Sequence, residues 1–140
     1  MTDTPTKWNP PQVAAPIGKY SHLTTVPAKT QLMFIAGQVG NDATGKIAAG
    51  DSYAQTIAAF RNVDRLLDSV GVGPQNIVRL LSFVSGTEHL AGYFAARDEI
   101  YAEWFARGDY PGHSLAVVSA LASPEFTVEL EGWAAIPVQG

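Results

Sequence analysis

The clearest periodic signal in the chain lies between residues 51 and 70. Ile57, Phe60, Val63, Leu67 and Val70 recur three or four positions apart, which lines them along one face of a helix. Asp51 or Ser52 suits its N-cap, where a short oxygen-bearing side chain accepts an otherwise unpaired backbone N–H. Gly71-Val72-Gly73-Pro74 stops it. A second helix is predicted over 87–106, with Leu90, Phe94, Arg97, Tyr101 and Trp104 marking one side and Gly108 just past its end. Strand-like runs occupy 17–26, 31–37, 76–84, 114–121 and 126–135. In the last of these, Val128 and Leu130 alternate with Glu129, Glu131 and Trp133, the pattern of a strand with one face buried. Residues 41–50 are turn-like, with Gly45 and Gly50 as breakers. Residues 1–12 are polar and proline-rich and read as a loosely held arm; Pro10, Pro11 and Pro16 forbid an early helix.

The predicted order is therefore β-β-α-β-α-β-β, an α+β chain. Strand–helix–strand units favour right-handed crossovers, so the expected architecture is one mixed sheet with two helices on one face. Such a sheet leaves its other face bare, and 140 residues offer nothing to cover it. Association through that face is the expected remedy.

Composition narrows the function. The length suits a single domain spanning 1–140, and a 46% hydrophobic content permits a buried core. Charged residues are only 16% and the net charge is −4, which argues against a general nucleic-acid or anionic-membrane binder. The absence of cysteine excludes disulfides, thiolate metal sites and cysteine nucleophiles. No apolar run approaches the roughly 20 residues of a membrane span, and the N-terminus lacks a signal-peptide core; a cytoplasmic protein is expected.

Gly71-Val72-Gly73 is not a dinucleotide fingerprint, because it follows a helix and lacks the third glycine. No phosphate loop, HExxH or GxSxG occurs, and His22, His89 and His113 are too widely spaced for a close metal-ligand pair. A pattern spread along the chain is more informative. It runs through 15–22 (APIGKYSH), 34–39 (FIAGQV), Gln55-Thr56 with Asn62, and Val78-Arg79. It continues through Tyr101, Trp104-Phe105, Pro111-Gly112-His113-Ser114 and Val128-Glu129-Leu130-Glu131.

This order and spacing resembles the reactive-intermediate deaminase (Rid, YjgF-like) family over about residues 15–136. The resemblance implies the YjgF-like, chorismate-mutase-like fold, assembled as a homotrimer with three sheets around a central barrel and the helices outside. It also implies small-molecule clefts between adjacent subunits, no metal or organic cofactor, and no membrane partner. Family members hydrolyse enamines and imines, such as 2-aminoacrylate, to keto acids and ammonia. In them an arginine after a Pro-x pair grips the substrate carboxylate. Here His113 stands at that position. A neutral imidazole offers one donor and no fixed charge, so the resemblance with this departure implies an altered substrate range.

The remaining site residues follow from the same resemblance. Glu129 matches the glutamate that holds and activates water, and Tyr20 matches the tyrosine at the cleft; these two are the catalytic candidates. Otherwise Glu129 is an outward strand glutamate, with Glu131 on the same face, and Tyr20 an aromatic anchor. His113, Gly37, Ser114, Leu115 and Phe94 are the candidate substrate contacts. Gly37 permits close backbone approach or simply ends a strand, and the Leu115 amide suits an anionic oxygen. Phe94 matches an aromatic offered to a neighbouring cleft, whereas Trp104 reads as core. Arg97 and Arg79 stand as substitutes for the missing anion contact, or as ordinary surface ion pairs. The alternative to an enzyme is a non-catalytic trimer that binds a small metabolite or regulates a partner. Endoribonuclease activity is disfavoured by the acidic charge.

Overall fold

The structure, a computed structural model, describes residues 4–48 and 51–138. Strand β1 (Thr6–Trp8) pairs antiparallel with β2 (Leu23–Thr25) in a small ribbon. The main sheet contains β3 (Thr30–Val39), β4 (Ile77–Ser85), β5 (Gly112–Val118) and β6 (Val128–Pro137), in the order β3-β6-β4-β5. β4 and β5 run parallel, and β6 lies antiparallel to β3 and β4. Helix α1 (Ser52–Ser69) joins β3 to β4, and α2 (Leu90–Trp104) joins β4 to β5. The expected α+β mixed sheet with two helices is present.

Local chemistry sets the limits of α1. The Asp51 carboxylate accepts the Ala54 N–H at 2.6 Å, one of the donors that the first turn leaves unpaired. Gly71 adopts φ +78°, the left-handed conformation that closes a helix, and the Val72 N–H reaches back to the Leu67 carbonyl at 3.1 Å. Phe60, Val63 and Leu67 from α1 join Tyr93, Ile100 and Tyr101 from α2 in the core. The sheet meets them with Ile35, Leu80, Val84, Val128 and Leu130. Burial of each large aliphatic or aromatic side chain contributes about 1.5–3 kcal/mol.

The opposite sheet face carries an uncovered apolar strip. Phe34 and Trp133 stand opposite each other in the β3–β6 register, with ring centroids 4.9 Å apart. They are 50% and 37% exposed, and Leu32 beside them is 53% exposed. Water contact over such a continuous strip is unfavourable in proportion to its apolar area.

Several expectations need correction. The first predicted strand, 17–26, shrinks to Leu23–Thr25 and joins β1 in place of the main sheet. Gly18 interrupts the extended run near its start, and Ile17 is almost wholly exposed. The arm 1–12 includes the paired strand β1, and the Lys7 ammonium donates to the Asp109 carbonyl at 2.9 Å while lying 4.8 Å from the Phe105 ring centroid. The second helix starts only at Leu90, after a 3-10 turn at Thr87–His89. Its buried stripe is centred on Tyr93, Ala96 and Ile100, with Phe94 turned outward. No helix among the described residues is long and apolar enough to cross a membrane.

Two polar residues of α1 tie the ends of the strands that carry the candidate site. Asn62 donates to the carbonyls of Val39 and Asn41, at 3.1 and 2.9 Å, where β3 ends. Gln55, 1% exposed, donates to the Glu125 carbonyl and accepts the Thr127 N–H, both at 2.9 Å, just before β6 begins. Both therefore serve the fold, tying α1 to the end of β3 and to the segment that leads into β6.

Candidate functional site

His113 is the second residue of β5 and lies opposite Leu80 of β4. Leu80 faces the helices, so the imidazole does too, and it meets α2 there. Its Nε2 lies 2.9 Å from the Ser82 hydroxyl and 3.2 Å from the Tyr93 hydroxyl. Tyr93 donates to Ser82 at 2.7 Å. With that proton committed, the Ser82 hydroxyl is free to donate to Nε2, and a neutral imidazole then carries its proton on Nδ1. Burial, reinforced by the positive charges of Arg97 and Arg79, lowers the His113 pKa to about 4. The ring is neutral at pH 7. Burial also raises the Tyr93 phenol, so it acts as a donor and not as a phenolate.

A cleft of about 640 Å³ opens beside this group, lined by Tyr20, Phe94, Arg97, His113, Ser114 and Leu115, among others. The segment bearing Tyr20 is irregular, yet it is firmly attached. Ser21 donates from its hydroxyl to the Tyr110 carbonyl at 2.6 Å and from its N–H to the Pro111 carbonyl at 3.2 Å. Thr24 accepts the Gly112 N–H at 3.2 Å. These bonds bring residues 17–24 against the start of β5 and so place Tyr20 beside His113. A second cavity of about 470 Å³ adjoins it, with Tyr20, Arg79, His113 and Ser114 among its lining residues.

Arg97 forms part of the cleft wall and is only 8% exposed. Its Nε donates to Asp98 at 2.9 Å, and its guanidinium carbon stands 5.1 Å from the Phe94 ring centroid and 5.5 Å from that of Tyr101. Lys19 approaches the same Asp98 oxygen at 3.2 Å. Burial alone would raise the Asp98 pKa, but Arg97 and Lys19 outweigh it and hold the carboxyl below the usual range.

Glu129 and Gly37 lie elsewhere on the chain. Glu129 alternates with the buried Val128 and Leu130, so it faces away from the helices. A Cβ on Gly37 would overlap the Glu129 carboxylate, which places the two residues in direct apposition on that same face. The chain thus gathers Tyr20, Phe94, His113, Ser114 and Leu115 in one cleft and sets Gly37 with Glu129 apart from it.

Ser82 and Tyr93 are not singled out by the sequence pattern. The signal for Ser82 was a lone hydroxyl within the apolar run 76–84, but nothing in that run points to its partner across the β4–β5 register. Tyr93 has no separate signal either, because the apolar spacing over 87–106 marks the side of Leu90, Phe94, Arg97 and Tyr101. Among the described residues, no three His, Asp or Glu side chains come together in a way that would hold a metal ion.

The Endoribonuclease L-PSP family model matches residues 11–136. A RutC family protein of Aquifex aeolicus is 33% identical over 96 residues, covering 68% of this chain and 70% of that one. Protein DfrA of Myxococcus xanthus is 32% identical over 111 residues, covering 79% and 80% respectively. Among solved structures, the Rid family protein YyfB of Yersinia pestis, described as of unknown function, superposes with a TM-score of 0.81 at 29% identity. That match covers 95% of this chain and 99% of the other. The fold, the span of the family match and these relatives agree: the chain belongs to the Rid/YjgF family of L-PSP-type proteins.

Proposed function

We propose that this protein is a homotrimeric hydrolase of small enamines or imines, converting them to carbonyl compounds and ammonia in clefts shared between subunits. The observation that carries this reading is the separation of the site residues onto two faces of one chain. Tyr20, Phe94 and His113 border a cleft at the β5 edge, while Gly37 and Glu129 stand on the uncovered sheet face beside the apolar strip of Phe34 and Trp133. Packing that face against a second copy buries the strip and carries Glu129 of one subunit toward the cleft of the next.

In such a cleft Glu129 accepts a proton from water as it attacks the imine carbon and passes it to the nitrogen; it then moves the second proton, from the new hydroxyl to the nitrogen, as the C–N bond breaks. Tyr20 and the neutral His113 orient the substrate by hydrogen bonds, and Phe94 and Leu115 exclude water around it. The nitrogen leaves as ammonia and the carbon keeps the new oxygen as a carbonyl.

Ammonia release from a series of enamines and imines generated in situ tests the proposal. Acceleration that is lost in Glu129→Gln, with the assembly intact, supports it. Ligand binding without acceleration of any member favours the alternative, a trimer that binds a metabolite without reacting. The neutral His113 is the observation behind that alternative, because it leaves the usual carboxylate grip unfilled.

A further inference from the structure

His113 supplies no charge to the cleft, yet the cleft is not without one. Arg97 lines it from α2, whereas His113 lines it from β5. It is already oriented: Asp98 engages only Nε, and the Phe94 and Tyr101 rings flank the guanidinium. No hydrogen bond to the terminal nitrogens is present among the described residues. Lys19 shares Asp98 with Arg97, so two cations face one carboxylate and the group retains one net positive charge. The chain as a whole carries −4. A fixed, nearly buried guanidinium with two free terminal nitrogens has the geometry that a planar carboxylate accepts.

We infer that Arg97 is the anion contact of this cleft: it binds the carboxylate of a small 2-keto or 2-imino acid, while His113 donates a neutral hydrogen bond to the uncharged end of the ligand. This rests on the cleft reading above and deepens it by naming the residue that holds the ligand's carboxylate. Asp98 acts through Arg97, as a positioning residue; Lys19, which also lines the cleft, shares that carboxylate.

Calorimetry on the assembled protein with pyruvate and with pyruvamide, which lacks the charge, provides the test. The native protein should bind pyruvate at least about tenfold more tightly than pyruvamide, the scale of one charge-assisted contact. Arg97→Met should weaken pyruvate about ten- to a hundredfold and leave pyruvamide within about twofold. Arg97→Lys, which keeps the charge and loses the planar fork, should fall between them. Equal binding of the two probes by the native protein overturns the inference, even if the methionine variant does not fold. Unchanged pyruvate affinity in a folded Arg97→Met also overturns it, as does a loss confined to Arg79→Gln. Carboxylate preference without ammonia release leaves the Arg97 contact standing and removes only the hydrolase reading. Ammonia release without carboxylate preference does the reverse.

Discussion

Gly37 and Glu129 occupy one another's space: the glutamate side chain fills the volume that any Cβ at position 37 would need. The overlapping atoms all belong to the flexible Glu129 side chain, and none to the backbone. An alanine there therefore displaces the carboxylate more easily than it disturbs the sheet. Gly37→Ala should lower stability by no more than about 1 kcal/mol, yet abolish the function that depends on Glu129. Adding Glu129→Ala should then cause little further loss of activity, since both changes remove the same group. Fully additive losses in a double-mutant cycle would show that Gly37 acts separately.

The buried neutral state of His113 makes stability depend on pH. Its pKa in the folded chain is about 4, against 6.5 as the ordinary value, because of burial first and the neighbouring Arg97 and Arg79 second. As pH falls from about 6.5 toward 4, the unfolded chain takes up a proton that the folded chain refuses. Stability from this group is complete above that window and is lost across it. Relative to His113→Gln, which does not titrate, the native protein should lose about 2–3 kcal/mol between pH 7.5 and 4.5. Urea unfolding of both proteins, at one fixed protein concentration, measures it. Parallel pH profiles would contradict the prediction.

The exposed strip on the sheet predicts assembly. Sedimentation should give roughly three times the 14.9 kDa of one chain. Trp133→Glu places a charge at the centre of the strip, and its burial opposite Phe34 would be costly. That variant should sediment as single chains with its helical content retained. A native protein that sediments as a monomer at micromolar concentration would remove the shared cleft.

Gln55 gives a stability test remote from the chemistry. Its side chain satisfies the Glu125 carbonyl, the Thr127 N–H and the Thr127 hydroxyl, the last at 3.0 Å. Gln55→Leu preserves bulk but leaves these groups unpaired in a buried setting, at a cost of about 2–3 kcal/mol. Chemical denaturation reads the effect directly. A loss below about 0.5 kcal/mol would mean that water replaces the amide.

The amino-acid sequence by itself determined the two helices, the order of the main strands and the two-faced character of β6. Those features depend on local rules: the spacing of Phe60, Val63 and Leu67, the cap at Asp51, the stop at Gly71, and the alternation around Glu129. It also placed His113 at the start of a strand; that this strand is a sheet edge follows from the topology. Tertiary structure alone decided which of these residues meet. β6 inserts between β3 and β4, although it is last in the chain, and this long-range pairing brings Glu129 onto Gly37. The short ribbon replaced a longer expected strand because Ser21 and Thr24 hydrogen bond to the start of β5, partners some 90 residues away. The protonation state of His113 depended on burial and on Ser82, Tyr93, Arg97 and Arg79, which lie near it only once the chain is folded. Local pattern records what a residue prefers to form; its charge state and neighbours arise from contacts between segments remote in sequence.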